Sequence, residues 1–329
     1  PLDDPDTMSI FTSSKVLGFE NDELLGPTGA VAIPEFNTRF TRQMLIDTQP
    51  KDFNTLVRLS GFSHGTDVWL GNARELIVGG TASVLQTVGC RDDIMLYLIS
   101  MGLDPKMSFK IMEAVRKGKV KKGGFQEGWV EAMEEHGVPQ WYIESLAKIG
   151  YLFPKAHAVA YVMMAFRIAW FKVHEPLAFY ATFFTIRAKA FDAEFCCAGK
   201  EAVEKKIHEI ENNKDATAVE QNLLVTLEVC YEFYLRGFHF DTIDIYRSDA
   251  SKFIITEGGL LPPLISVHGL GEAAAQDTVE KRKGKTFISV EEFSMCCSKL
   301  SKTHIEQLKA LGAFAGMADT SQVNLFDGL

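Results

Sequence analysis

The chain has 329 residues, of which 47% are hydrophobic and 23% charged; this ordinary globular composition excludes disorder throughout and predicts two or three domains. A net charge of −9 argues against a protein that coats nucleic acid through its overall field. Six cysteines without CxxC spacing fit neither a disulfide scaffold nor a zinc site, and they favour a reducing, cytoplasmic location.

The first part of the chain is predicted to be almost entirely helical. It begins at Pro1 without a methionine or a signal peptide, and we expect it to be a piece of a longer polypeptide. Residues 1–50 are interrupted by Pro and Gly, which predicts short helices joined by turns. Apolar residues at helical spacing then predict helices over 38–46, 53–59, 91–101, 106–115, 125–136, 140–149, 158–173, 178–188, 193–212 and 222–236. Residues 1–235 should therefore form one α-helical domain.

The segment 158–173 is apolar on nearly all sides, which predicts a buried helix. Its longest uninterrupted apolar run, residues 158–166, is far shorter than the roughly 20 residues that span a bilayer, and Arg167 follows at once. We therefore expect neither a membrane helix nor a membrane partner.

The composition changes after residue 235. Residues 240–246, 252–256 and 260–264 are short, apolar or β-branched and separated by turns, which predicts extended segments in a linker or a small sheet. A helix after Gly271 and a helix pair over 290–298 and 302–311 follow. The prediction is a mainly α chain with a second, small domain over 236–314 and a loose tail over 315–329.

Positive charge is concentrated in two tracts. Between residues 106 and 124 there are seven basic residues against the single acid Glu113, and residues 116–124 predict a flexible basic loop. Residues 145–174 hold four basic residues and no acid. A solvated surface explains a short basic loop, but two such tracts beside Gly- and His-containing turns favour phosphate contact. The basic residues assigned to DNA contact are Arg116, Lys117, Lys119, Lys121 and Lys122.

The strongest local motif is Val267-His-Gly-Leu-Gly271 before a helix. Two glycines let the backbone approach an anion while the following amides and the helix N-terminus point at it. The motif resembles the hairpin of a helix-hairpin-helix module, which holds duplex DNA by its backbone without reading bases. Gly269, Leu270 and Gly271 form the predicted hairpin, with Leu264, Val267, Ala274 and Val279 as its packing positions. A plain turn between helices is the alternative.

Two further turns carry polar groups that suit a ligand. In residues 153–161, Pro154 excludes the helical conformation before it, so Lys155 and His157 should project where the buried helix begins. In residues 63–72, donors and acceptors cluster in one Gly-punctuated loop. Helix capping by Ser63 or Thr66, and ordinary surface exposure of Lys155 and His157, are the alternatives.

Together the segments 33–36, 42–44, 61–73, 89–94, 153–157 and 300–302 resemble the C-terminal third of PolC, the replicative DNA polymerase III alpha subunit of low-GC Gram-positive bacteria. The resemblance runs almost end to end and implies that residues 1–235 are the end of the palm and the fingers, and that the rest is a duplex-binding region. The family's reaction is attack of a primer 3′-hydroxyl on the α-phosphate of an incoming nucleotide.

The resemblance also implies a division of roles. The two Mg²⁺ ions of this chemistry are held by palm aspartates, which we expect outside this chain; the pairs Asp3–Asp4 and Asp92–Asp93 are interpreted as helix-start or surface acids. We expect no catalytic residue and no metal ligand here. The chain should instead capture the incoming dNTP and hold primer-template DNA. The residues implied in nucleotide contact are Ser63, His64, Gly65, Thr66, Asn72, Arg91, Lys155, His157, Tyr161 and Arg167.

The tail resembles the short peptide by which bacterial polymerases bind the sliding clamp, with Gln322, Leu325 and Phe326 at its contact positions. The sequence departs from the family in continuing through residues 327–329 and in having Ala32 where a glycine is expected. The alternative function is a non-enzymatic adaptor that binds DNA and the clamp.

Overall fold

The computed structural model describes residues 1–320 and shows a mainly α-helical chain with one small sheet, which confirms the predicted fold class. The chain forms two compact units, Pro1–Val173 and a second from His174 onward. This division by packing lies well before the domain boundary predicted near residue 235. The boundary between functional domains stays a prediction.

The first unit contains ten α-helices. Several begin at a side chain that accepts a hydrogen bond from a backbone amide of the first turn, as Thr38, Asp52 and Asp104 do. The helices are α1 (Pro5–Ser9), α2 (Arg39–Thr48), α3 (Phe53–His64), α4 (Arg74–Val78), α5 (Arg91–Ser100), α6 (Pro105–Arg116), α7 (Lys119–Gly123), α8 (Trp129–Glu135), α9 (Gln140–Lys148) and α10 (Lys155–His174).

The sequence analysis misses α4, and it was wrong about the basic loop: residues 119–123 form the short helix α7. Val120 is buried and anchors it. The adjacent Gly118 approaches the Gly150 carbonyl too closely for a Cβ atom to fit, and it adopts φ +67°. Basic composition predicted a solvated loop, whereas one apolar side chain and one glycine contact hold the segment in place.

Helix α10 passes through the core of the first unit. Phe166 stacks on Phe11, which meets Phe36 edge-on. The buried Lys172 donates to the carbonyls of Gly29 at 2.8 Å and Val31 at 2.5 Å. By length and mean hydropathy alone α10 could cross a membrane, a test that a core helix also passes, and it is the one such helix in residues 1–320. These contacts are those of a core helix.

As far as residue 320, the second unit contains seven α-helices and a three-stranded sheet. The predicted helix over 193–212 is interrupted at Gly199, which has φ +98°. The helices are α11 (Pro176–Ile186), α12 (Ala193–Cys196), α13 (Lys200–Asn212), α14 (Ala218–Leu235), α15 (Glu272–Arg282), α16 (Val290–Cys296) and α17 (Lys302–Ala310).

The extended segments predicted after residue 235 do form a sheet, although each strand is shorter than predicted. The strands are β1 (His239–Phe240), β2 (Ile254–Thr256) and β3 (Gly259–Leu261), in the order β1-β3-β2. Strand β3 pairs in parallel with β1 and antiparallel with β2. Phe240 of β1 packs on Phe184 of α11 and Phe233 of α14, which places the core of this unit between the sheet and these helices.

Candidate functional site

His64, at the C-terminal end of α3, is held by the carboxylate of Glu35, which lies in an earlier turn of the chain. The His64 Nε2 atom lies 2.5 Å from Glu35 Oε2, and Ser60 Oγ donates to the same oxygen at 3.3 Å. Glu35 adopts φ +71°, a conformation that a non-glycine residue takes only where its surroundings impose it. These contacts fix the imidazole at the protein surface.

Three rings from the second predicted turn pack around His64. Phe153 stacks on the imidazole with ring centroids 4.7 Å apart, and Tyr161 lies 6.4 Å from both rings. His157 meets Phe153 edge-on at 5.9 Å. His157 and Tyr161 are exposed. We call His64, Phe153, His157 and Tyr161 the ring cluster; it joins the two turns that the sequence analysis treats separately.

Backbone hydrogen bonds hold these turns together. The Thr66 amide donates to the Tyr151 carbonyl at 2.9 Å, and the Gly150 amide donates to the Thr66 carbonyl at 2.9 Å. The Arg91 amide donates to the Phe153 carbonyl at 3.2 Å, which ties the start of α5 to the same segment. The segment 150–153 therefore bridges the loop after α3 and the N-terminus of α5, and it sets the position of the Phe153 ring.

Lys155 belongs to a buried ionic network next to this bridge. Asp93 Oδ2 accepts from the Cys90 amide at 2.7 Å and lies 2.6 Å from an Arg58 nitrogen, while Asp93 Oδ1 lies 3.4 Å from Lys155 Nζ. The Lys155 amide donates to Asp92 at 2.9 Å. Burial and the Asp93 carboxylate raise the pKa of the Cys90 thiol to about 12. Asp92 and Asp93 do stand at a helix start, as predicted, but Asp93 is buried and not a surface acid.

The Lys155 side chain lines a cavity of about 340 Å³ with Arg58, Asp93, Tyr97 and Tyr142 among its walls. Its ammonium therefore faces the ionic network, and the turn over 63–72 does not line that cavity. The sequence analysis missed Arg58. The one feature of the sequence that could have revealed it is a basic residue placed among the apolar residues of α3.

Several predicted nucleotide contacts have internal partners. Asn72 is buried: its amide donates to the Asp67 and Ser145 carbonyls at 3.1 Å and accepts from the Ser145 hydroxyl at 2.5 Å. Ser63 donates to the Ser60 carbonyl. Asn72 is therefore corrected as a direct contact, because its buried amide shapes the turn instead, whereas contact by the half-buried Ser63 stays a prediction.

The two predicted arginines do not join the ring cluster. Arg91 lies 4.0 Å from Asp92, at the start of α5. Arg167 is exposed on α10, about 18 Å along the helix from Lys155 at 1.5 Å per residue. Gly65 and Thr66, by contrast, lie in the turn itself, and a Cβ at position 65 would lie 3.0 Å from the Tyr151 carbonyl.

The basic tract follows α6 and α7. Arg116 and Lys117 both bind Glu113, the Lys117 ion pair at 2.8 Å, and together they lower the pKa of that carboxyl to about 2. Lys121 lies 2.6 Å from Asp67. Lys119 and Lys122 are exposed and make no ion pair within residues 1–320. Of the five basic residues predicted to contact DNA, three already have an acidic partner.

In the second unit, the glycine hairpin keeps the conformation that its motif predicts. Gly269 has φ +74°, and Gly271 is the N-cap of α15 with open space around its Cα. Leu270 is buried, as are the predicted packing residues Leu264 and Val267. Two predicted packing positions on α15 were wrong: Ala274 and Val279 are only partly covered, whereas the neighbouring Ala275 and Thr278 are buried.

Two predictions concern groups that the structure bears on only in part. Within residues 1–320 no three His, Cys, Asp or Glu side chains form a group that could hold a metal ion, and Asp4 caps α1 by accepting from the Thr7 amide. We derive no step through a metal, and the assignment of Mg²⁺ to a palm outside the chain stays a prediction. The clamp-binding residues Gln322, Leu325 and Phe326 lie outside the described residues.

Comparison with known proteins gives matches over nearly the whole chain. Residues 1–137 match the bacterial DNA polymerase III alpha subunit finger domain, and residues 237–323 match a helix-hairpin-helix motif. Over 99% of its length the chain is 54% identical to the PolC-type DNA polymerase III of Caldanaerobacter subterraneus and 50% identical to that of Bacillus cereus. The protein of the same name from Streptococcus pneumoniae is 47% identical. The chain belongs to the PolC-type DNA polymerase III family.

The chain spans 22–23% of the length of these relatives and corresponds to a C-terminal segment of PolC, somewhat less than the third expected. The finger-domain match includes the His64 side of the ring cluster but ends before Phe153. The helix-hairpin-helix match includes the glycine hairpin.

Proposed function

We propose that this chain is the fingers and duplex-binding part of a replicative DNA-directed DNA polymerase, and that its ring cluster captures the incoming dNTP. The observation that carries the proposal is the meeting of the two predicted turns in one exposed cluster of rings at the N-terminus of α10. Rings of this kind stack on a base or ribose, and imidazoles donate hydrogen bonds to phosphate oxygens.

The start of α10 supports binding of the triphosphate. The first turn of α10 contains no acid, and the first four amides of a helix lack intrahelical acceptors. Asp92 accepts from the first of these, that of Lys155, and the Ala156 and His157 amides follow it in the same turn. In this arrangement His157, Tyr161, Gly65 and Thr66 contact the nucleotide.

Lys155 and its network have a different part in the same proposal. Because Asp93 is bound to Arg58 and to two backbone amides, it holds the α5 N-terminus and the start of α10 in register. Lys155 neutralises this carboxylate, which would otherwise repel the nucleotide. The primer 3′-hydroxyl, the attack on the α-phosphate and the Mg²⁺ ions belong, in this proposal, to a palm outside the chain.

The second unit would hold the primer-template duplex through the glycine hairpin, and the tail residues Gln322, Leu325 and Phe326 would bind the sliding clamp. The first assignment fits the helix-hairpin-helix match, which covers the hairpin, and the second rests on the resemblance of the tail to a clamp-binding peptide. They fit the rival function too, a non-enzymatic adaptor that holds DNA and the clamp.

Steady-state kinetics of a full-length PolC-type polymerase carrying this segment separate the two functions. We expect His157→Gln to raise the KM for dNTP about tenfold and to leave kcat within about twofold, because the variant loses one hydrogen bond to a charged phosphate. His208→Gln, which changes an exposed histidine of α13, should leave KM unchanged. An unchanged KM in His157→Gln would favour the adaptor.

A further inference from the structure

One exposed surface of the first unit combines unpaired lysines with an aromatic ring. On α6, Lys106, Phe109 and Lys110 are exposed at spacings of three and four residues, which places them on one face of the helix. Lys119 and Lys122 continue the exposed positive charge on α7. We call these five residues the α6–α7 face.

The four lysines of this face make no ion pair within residues 1–320. Three acids lie near these helices: Glu113 is bound by Arg116 and Lys117, Asp67 is bound by Lys121, and Asp104 accepts from the Met107 amide as the N-cap of α6. Cations that are spaced along a surface and lack acidic partners are available to successive phosphates of a nucleic-acid backbone.

Phe109 distinguishes between a single strand and a duplex. Its ring is 51% exposed, whereas Ile111, Met112 and Val115 of the same helix are buried. A duplex presents phosphates to such a surface, and its bases are stacked inside, so an exposed ring among lysines gains nothing from duplex contact. An unpaired base can stack on the ring, as on the aromatic platforms of single-strand-binding proteins.

Contacts link helices α6 and α7, which carry the α6–α7 face, to the segment 150–153 and the turn after α3, which carry part of the ring cluster. The Leu152 amide donates to the Arg116 carbonyl at 3.3 Å, and Lys121 of α7 binds Asp67 in the turn after α3. Tyr151, 41% exposed, lies between them and pairs with Thr66. A strand on this face therefore leads to the ring cluster without leaving the first unit.

We propose that the α6–α7 face binds the unpaired template strand next to the nucleotide site, with its phosphates on the lysines and a base stacked on Phe109. This inference rests on the proposed function and names the strand that the basic tract contacts. It names single-stranded DNA as the ligand, where the sequence analysis predicts only DNA contact.

Fluorescence anisotropy with the 329-residue chain tests the stacking contact. The probes are a labelled oligothymidylate of about 12 nucleotides, an abasic strand of the same length, and a blunt duplex. We expect Phe109→Ala to weaken oligothymidylate binding about tenfold and to leave the abasic strand and the duplex within twofold. Phe40→Ala, which removes a phenyl ring that is 43% exposed on the lysine-free helix α2, should change none of the three.

The lysines are tested by salt dependence. For the double variant Lys106→Ala, Lys110→Ala we expect the slope of log affinity against log salt for oligothymidylate to fall by about 1.4, since each phosphate contact with a single strand contributes about 0.7. Oligothymidylate affinity unchanged in Phe109→Ala, or an equal loss on the abasic strand, overturns the proposal. The kinetic test of His157 is independent of this outcome, so the two proposals fail separately.

Discussion

The ring cluster and the glycine hairpin present a ligand with two different kinds of surface. In the ring cluster, side chains from distant parts of the sequence meet, and each is held by another group, as His64 is by Glu35 and Lys155 by Asp93. In the hairpin, five consecutive residues form the turn before α15, with the Val267 and Leu270 amides bonded to nearby carbonyls, and Gly269 supplies the conformation. The first therefore depends on tertiary contacts and the second on local geometry.

The largest effect should come from removing the Arg58 guanidinium, on which the tertiary contacts beside the ring cluster depend. Arg58→Met keeps most of the aliphatic stem but leaves Asp93, whose side chain is 7% exposed, without its closest cation. We expect the free energy of unfolding of the first unit to fall by about 3 kcal/mol, the lower end for breaking a buried ion pair, because Lys155 and two amides remain.

Urea titration followed by tryptophan fluorescence measures this loss selectively, since all four tryptophans, Trp69, Trp129, Trp141 and Trp170, lie in the first unit. Arg91→Met is the matched control. Its 4.0 Å pair with Asp92 is about a third exposed, and we expect a change below about 0.5 kcal/mol. A loss below 1 kcal/mol in Arg58→Met would mean that the network does not hold the site.

The hairpin should fail differently, through its backbone. Gly269→Ala puts a side chain at φ +74°, which costs about 1–2 kcal/mol and favours a different turn conformation. Because the altered turn no longer fits the DNA backbone, we expect the affinity for duplex DNA to fall about tenfold. Gly284→Ala introduces the same strain at φ +66° in open space after α15. Anisotropy with a blunt duplex, after circular dichroism has shown equal helix content, should find only Gly269→Ala impaired; equal losses in both variants would contradict a phosphate role for the hairpin.

The same contrast explains what could be predicted from the sequence. Helical periodicity located most helices, and the hairpin could be predicted from five residues because its conformation is local. The contact between His64 and Phe153 could not be predicted, since the spacing of apolar residues does not indicate which turns lie next to each other in the fold. Arg58 and Glu35 escaped for the same reason: their roles come from partners far along the chain. The helix α7 escaped because its composition is basic, although Val120 and Gly118 hold it by packing.

Ala32 tests whether local backbone geometry also matters within the first unit. The family resemblance leads us to expect glycine there, and the structure supplies the reason, because Ala32 has φ +63° and is 7% exposed. Its amide donates to Asn37 Oδ1 at 2.6 Å, which keeps the turn before Glu35 closed. Ala32→Gly should relieve the strain without removing this bond.

We expect Ala32→Gly to raise the free energy of unfolding by about 1 kcal/mol, since relief of the left-handed strain exceeds the extra entropy of glycine in the unfolded chain. Ala30→Gly is the control: Ala30 is fully buried without positive φ, so the same change should destabilise the first unit by a similar amount. Opposite shifts of the two urea midpoints would show that backbone strain is stored next to the residue that positions His64. Shifts in the same direction would mean that Ala32 is not strained and that the turn around Glu35 does not depend on the backbone angle at position 32.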